Sequence, residues 1–374
     1  MRLVFLCGCM EPGRDGVGDY TRRLAGEIIK QGHDAAIVAL HDHFIAEEIA
    51  GRQQSEEIEL PVFRIPASTR SAEKFRLAKE WIAGFNPDWL SLQYVPFSFH
   101  YKGLPFGLNK QVAKLRKGAF LHVMFHELWV GEGESFRRNI QAALQKMIFR
   151  QMKSTLRPEV IHTHLPDFYA RLRNLNFEPL PLPLFSNVHV QDQEEGIKAD
   201  KVFRVGVFSQ IGTDGSIINF LRDLHKVVSE KQMFLEVLVI GDNDRLKRFG
   251  AFLEGVDGFE KTVKYTGFLK NSAVSTAIQS CSIGLTSLPR HALGKSGSVA
   301  AFLAHGIPVA APFTGVSDNG DPFFSRKLCQ SIIINPDILS INRAIAAALI
   351  DKNEIEPSRI AERFLKDLSC PLAH

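Results

Sequence analysis

FRVGVFSQIGTDGSIINFLRDLHKVVSEKQMFLEVLVIGD (residues 203–242) reads as four pieces. An apolar run, FRVGVFS, has the unalternating composition of a strand buried on both faces. The loop QIGTDGS follows, then the helix SIINFLRDLHKVVSEK, then a second apolar strand, FLEVLVIGD. The chain opens on the same plan at 2–40, RLVFLCGCMEPGRDGVGDYTRRLAGEIIKQGHDAAIVAL. Its strand is RLVFLCG and its loop EPGRDGVG. Its helix carries Tyr20, Leu24, Ile28 and Ile29 on one face and stops at Gly32. Strand, glycine loop, helix and strand open a βαβ unit with parallel pairing. Two such openings in 374 residues predict an α/β protein of two Rossmann-like domains facing across a cleft.

The remaining strands fit this plan. They are expected at 89–95, 120–126 and 159–164 in the first half, and at 263–267, 282–288, 307–312 and 331–335 in the second. The polar stretch 187–201 reads as the linker. The resulting division is a first domain over 1–195, a second over 202–355, and a terminal amphipathic helix within 356–374 that packs back on the first domain.

Composition narrows the class. Hydrophobic residues make up 45% and charged residues 23%, as in an ordinary globular protein, and the net charge of +4 suits an anionic small substrate without calling for nucleic acid. Phe is abundant and Tyr scarce, which fits core filling better than base stacking. Five widely spaced cysteines form no disulfide framework and no metal motif, so a reducing, cytoplasmic compartment is expected. The N-terminal apolar run is short for a signal peptide, and no run of apolar residues is long enough to span a bilayer.

Ligands of doubly wound sheets bind outside the carboxyl ends of the strands, so the chemistry is sought in loops that follow strands. Gly16, Gly18, Asp19 and Tyr20 follow the first strand, where glycines admit close approach and a helix begins. Asp19 could equally cap that helix. Gln93 and Tyr94 lead into the aromatic loop PFSFHYKGLPFG, with acceptor binding and packing as alternative roles. His126 closes the strand FLHVMFH and Glu127 follows it; a histidine there suits acid–base or hydrogen-bonding work. His162, His164 and Asp167 make a weak metal pattern, and no metal site is expected.

In the second half, Gly212 and Thr213 offer backbone amides ahead of a helix. The stretch LTSLPRHALGKSGSVAAFLAHGIPVAAP (285–312) contains GKS, but Pro289 stands where a P-loop requires glycine. Lys295, Ser296, Gly297 and Ser298 still open a helix whose free amides and positive end suit a diphosphate, with Arg290 nearby. A basic amphipathic segment, 136–157, carries Phe136, Ile140, Leu144, Met147 and Gln151 on one face; packing on its own domain and peripheral contact with a membrane are the two readings.

Together GVGDYTRRLAGEIIKQGHD, PDWLSLQY, VMFHE, LVIGD, YTGFL and ALGKSGSVAAFLAHGIPVAAP resemble the GT-B glycosyltransferases, family 4 in particular, over nearly the whole chain. The resemblance implies retaining, metal-independent transfer of a hexosyl group. The donor would be a UDP- or GDP-linked sugar bound as substrate, with no other cofactor, and the acceptor a glycan, a lipid or a small molecule, as in polysaccharide biosynthesis. It assigns the donor to the second domain, at Gly212, Thr213, Gly241, Asp242, Gly267, Phe268, Arg290, Ser296, Gly297 and Ser298. It assigns the acceptor to the first, with Gly16 and Gly18 lining the cleft, His126 contacting the donor sugar and Glu127 orienting the acceptor.

The family carries two glutamates whose places here fall at Leu293 and Ala301, and a loop arginine and lysine that QIGTDGS lacks. Lys295 is the residue that would replace the missing phosphate charge. A GT-B-like epimerase or phosphorylase, and a binding or scaffold subunit without catalysis, are the alternative readings.

Overall fold

The computed structural model describes residues 1–131, 135–191, 201–208, 211–313 and 323–370. Most of the expected linker, at 192–200, and Ser209 and Gln210 of the second glycine loop lie outside the described residues. The chain divides into two compact units: Met1–His164 with Phe168–Leu182 and Ala361–His374, and Leu165–Asp167 with Pro183–Ile360.

The first unit holds an eight-stranded sheet: β1 (Arg2–Cys7), β2 (Asp34–Asp42), β3 (Ile49–Ser55), β4 (Ile58–Pro66), β5 (Trp89–Tyr94), β6 (Phe120–Phe125), β7 (Val160–Thr163) and β8 (Leu180–Pro181). Their order is β3-β4-β2-β1-β5-β6-β7-β8, and every pair is parallel except the β3–β4 hairpin. Leu3 to Cys7 are wholly buried, as an unalternating central strand should be. The hairpin is absent from the sequence reading because β3, IAGRQQS, is an exposed edge strand without a buried face to leave a period.

The second unit holds six parallel strands: β9 (Val202–Phe208), β10 (Phe234–Ile240), β11 (Val263–Tyr265), β12 (Ile283–Leu285), β13 (Val309–Ala310) and β14 (Ile332–Ile333), in the order β11-β10-β9-β12-β13-β14. Counted from its own first strand this is 3-2-1-4-5-6, the doubly wound order. The first unit repeats it once the β3 edge and β8 are set aside. In each sheet the direction of winding reverses beside the first strand, between β1 and β5 and between β9 and β12. These are the places where such folds open a crevice.

Glycines in the second sheet seat one helix closely. A Cβ on Gly206 would stand 2.6 Å from the Cys281 sulfur and 2.8 Å from the Phe302 ring. Phe302 lies in the helix Gly297–Ala304 and is itself 1% exposed. The bare strand backbone therefore lets that helix settle onto β9 and β12.

The helix Phe136–Leu156 corrects one expectation. Its buried residues are Ala142, Gln145, Ile148, Phe149, Met152 and Leu156. The face expected to be apolar and packed points outward: Phe136 is 80% exposed, Ile140 46% and Met147 40%. Gln145 takes an inward place because its amide bonds the Gly103 carbonyl and the Val130 N–H.

Candidate functional site

In the first unit the glycine loop closes on itself. The helix Gly16–Lys30 begins earlier than expected, so Gly16 and Gly18 lie in its first turn. Its cap is Asp15, whose carboxylate accepts the amides of Val17 and Gly18 at 2.8 and 3.0 Å. Asp19 instead accepts from the Gly13 amide and from Arg22, and Arg22 also reaches the Met10 carbonyl at 3.0 Å. A Cβ on Gly18 would lie 2.6 Å from the Cys9 carbonyl oxygen, whereas one on Gly16 would meet nothing within 4 Å. Gly18 thus serves packing, and Gly16 borders open space.

Tyr20 is buried edge-on to two imidazoles, 5.1 Å from His126 and 5.4 Å from His164. Tyr94 is equally buried, among Phe99, Phe125 and Phe149, and burial raises its phenol pKa. Its neighbour Gln93 faces the other way and accepts from His126 Nε2 at 2.8 Å. His126 Nδ1 in turn faces His164 Nε2 at 3.1 Å. Both nitrogens of His126 are therefore engaged, and burial followed by the neighbouring His164 holds its pKa well below the ordinary imidazole value. Glu127 is exposed beside it. His162 and His164 are buried and bonded to other side chains and to the Leu182 carbonyl, and no cluster of metal-binding side chains occurs among the described residues.

A pocket of the first unit was not anticipated. His41, Thr69, Lys74, His100, Phe106 and Gln111 line it, at the carboxyl ends of β2, β4 and β5. Lys74 is 7% exposed, its Nζ donates to His41 Nδ1 at 2.9 Å, and burial pulls its pKa down to about 8. Burial, then the adjacent Lys74, lowers His41 to about 4. The sequence signal was the run HDH directly at the end of a strand. Lys74 carries no such signal, because it lies on a helix remote in sequence.

In the second unit Gly241 and Gly267 end β10 and β11 and bridge to each other, with φ of 108° and 65°. Asp242 pairs with Lys247 at 2.5 Å, and Phe268 is 82% exposed. At the switch point the Gly212 amide donates to Ser287 Oγ at 2.9 Å. Asp214 caps the helix Gly215–Glu230, accepting from the amides of Ser216 and Ile217, and Thr213 precedes it. Arg290–Lys295 form a 3-10 turn after β12, and the helix Gly297–Ala304 starts behind it with Ser296 as cap. Ser296 Oγ accepts from the Val299 amide at 3.3 Å and lies 3.0 Å from Ser298 Oγ. The first-turn amides of Gly297 and Ser298 have no intrahelical acceptor. Lys295 and Gly297 are exposed, whereas Leu293 and Ala301 are buried in the apolar core.

No protein-family model matches the sequence, and no curated protein does. Solved structures do match. HepE from Anabaena, in complex with UDP-glucose, is 13% identical, covers 99% of each chain and has a TM-score of 0.61. Sucrose-phosphate synthase from Thermosynechococcus elongatus is 13% identical over 99% of this chain and 98% of its own, with a TM-score of 0.57. UDP-GlcNAc 2-epimerase from Methanocaldococcus jannaschii is 10% identical over 99% of each chain, at 0.52. At these identities the likeness establishes the fold: two Rossmann-like α/β units in tandem, as in the GT-B glycosyltransferases.

Proposed function

We propose that this chain is a retaining, metal-independent glycosyltransferase that takes a hexosyl group from a UDP- or GDP-linked sugar. One observation carries the reading: Lys295 and the first turn of the 297–304 helix stand together just past β12, beside the switch point of a doubly wound sheet. An exposed ammonium, free amides and the positive end of a helix are the groups a departing diphosphate needs. Breaking the bond between sugar and phosphate builds negative charge on that diphosphate, and preorganised donors there lower the barrier. Gly241, Asp242, Gly267, Phe268 and Arg290 frame the same edge of the sheet. The Gly212–Thr213 loop contributes only once the bond from Gly212 to Ser287 is exchanged for one to phosphate. UDP-glucose in HepE supports the choice of donor class.

The first unit supplies the acceptor side. The His41–Lys74–His100 pocket suits an acceptor with an anionic group, and Glu127 orients it. The exposed face of the 136–156 helix, apolar with arginines and lysines around it, fits contact with an anionic membrane. Incubation with UDP-, GDP- and ADP-sugars tests the reading. Nucleotide release supports transfer, binding without turnover in the presence of acceptors points to a binding subunit, and no nucleotide binding overturns the reading.

A further inference from the structure

The first unit contains an unbroken line of buried polar groups. It starts at the Leu182 carbonyl and passes through His164, His126, Gln93, Ser91, His122 and His162 to the carboxylate of Asp367 on the terminal helix Pro357–Ser369. The contacts measure 2.8, 3.1, 2.8, 2.8, 2.7, 3.0 and 3.0 Å in that order. Strand alternation builds it. Ser91 and Gln93 of β5, His122 of β6 with His126 beyond it, and His162 of β7 with His164 beyond it are spaced by two or four residues, hence on one face of the sheet. The terminal helix covers that face, with Phe364 4.9 Å from the His122 ring. The six side chains between the ends are at most 8% exposed, and the Asp367 side chain is 24% exposed.

Both ends can only accept. Seven contacts need seven hydrogens, and four neutral imidazoles, one amide and one hydroxyl supply six. Working inward from Asp367, His162 and His122 each carry hydrogen on Nε2. Ser91 donates to His122, Gln93 to Ser91, and His126 donates through Nε2 to Gln93. Working inward from Leu182, His164 carries hydrogen on Nδ1. The unfilled contact is then the one between His126 Nδ1 and His164 Nε2, which is also the longest of the seven at 3.1 Å.

We propose that Asp367 is a positioning residue for His126: it sets the direction of the bonds from His162 to His126, turns the Gln93 oxygen toward His126 and so holds His126 as the Nε2–H tautomer, and leaves one proton-binding position between His126 and His164. Burial favours neutral rings throughout. A proton placed between two nitrogens is shared by both and completes the line. The titratable groups facing this position are Tyr20 against both rings and His122 and His162 along the line, with Arg363 and Asp367 at the far end. The inference concerns side chains of the first unit and does not depend on the transferase reading. If that reading holds, the unfilled contact is the one a sugar hydroxyl opens most readily.

Long-range proton–nitrogen NMR of the full chain with 15N-labelled histidine rings tests it. The wild-type protein should show Nε2–H on His122 and His162 and Nδ1–H on His164. Asp367→Asn adds a donor, and Asp367→Ala removes a contact, so either makes the count of hydrogens equal the count of contacts. Both should invert the line between His162 and His126, with the Gln93 amide turned over and Nδ1–H on His122, His126 and His162, while His164 keeps Nδ1–H and Asp367→Glu keeps the wild-type pattern. On acidification the His126–His164 pair should take up its proton about one pH unit or more earlier in wild type than in Asp367→Asn. Nδ1–H on His122 in the wild-type protein, or an Asp367→Asn spectrum with unchanged tautomers, overturns the proposal.

Discussion

The Gly212 amide donates to Ser287 Oγ at 2.9 Å, joining the loop after β9 to the loop after β12 where the second sheet reverses its winding. A hydroxyl thus holds the backbone donor that a phosphate would claim. Exchange of one hydrogen bond is worth about 0.5–1.5 kcal/mol. Ser287→Ala should therefore tighten UDP binding by roughly two- to tenfold in calorimetric titration. Affinity that is unchanged or weaker would remove the Gly212 loop from the phosphate site.

Lys295 is exposed at the mouth of the 297–304 helix. A charge-assisted bond to phosphate contributes about 1.5–3 kcal/mol, so Lys295→Ala should weaken UDP binding by roughly ten- to a hundredfold. The salt dependence of binding should shrink with it, because a screened charge has gone. Equal affinity of variant and wild type would place the diphosphate elsewhere.

The seat of that helix gives a third test. Alanine at Gly206 would drive a methyl group against the Cys281 sulfur and the Phe302 ring, at 2.6 and 2.8 Å. Overpacking of this kind destabilises by about 1–3 kcal/mol, which urea unfolding would read. Since Phe302 belongs to the helix that begins at Gly297, UDP affinity should fall alongside stability. A stable variant with wild-type affinity would show that the helix tolerates displacement.

The central strands were legible because burial on both faces leaves a continuous apolar run, as in RLVFLC and FRVGVF. The helix opening at Ser296–Ser298 was legible for a related reason: serines next to an apolar run mark a cap. The β3–β4 hairpin and β8 were not, because an exposed edge strand and a two-residue strand leave no period. The apolar face of the 136–156 helix was misjudged because Gln145, a polar residue, packs inward and large apolar residues point out. Asp19 offered itself as a cap, but Asp15 lies one position before the helix and takes that place. Lys74 beside His41 could not be foreseen, since proximity across 33 residues is a product of the fold.

Asp42 and Arg64 form a buried pair at 2.7 Å near the ends of β2 and β4. Burial works against ionisation of Asp42, but Arg64 and the amides of Phe44 and Met10 outweigh it, and its pKa lies below the ordinary carboxylate value. A depressed folded-state pKa means stability that is present above the unfolded value of about 3.9 and lost as pH falls through the folded one. Asp42→Asn takes one carboxylate from Arg64 while Glu11 stays bonded to it at 2.6 Å, and should cost about 1.5–3 kcal/mol at neutral pH. The deficit should narrow below about pH 4, where the wild type loses the same charge. A deficit constant from neutral to acid pH would assign the loss to packing and not to charge.

Phe136, Ile140 and Met147 stand exposed on a helix that also exposes Arg137, Arg150 and Lys153. Apolar residues between cations partition to an anionic interface, where each basic residue adds about 1 kcal/mol. The wild-type chain should cosediment with phosphatidylglycerol vesicles and stay in solution with phosphatidylcholine vesicles. Arg137→Glu with Arg150→Glu should weaken the anionic binding by roughly tenfold or more. Phe136→Ser with Ile140→Ser should weaken it further by reducing the inserted apolar area. All four side chains are exposed, so the variants should unfold at the same urea concentration as wild type, to within about 0.5 kcal/mol each. A wild-type chain that ignores anionic vesicles would leave the outward apolar face of this helix without a membrane role.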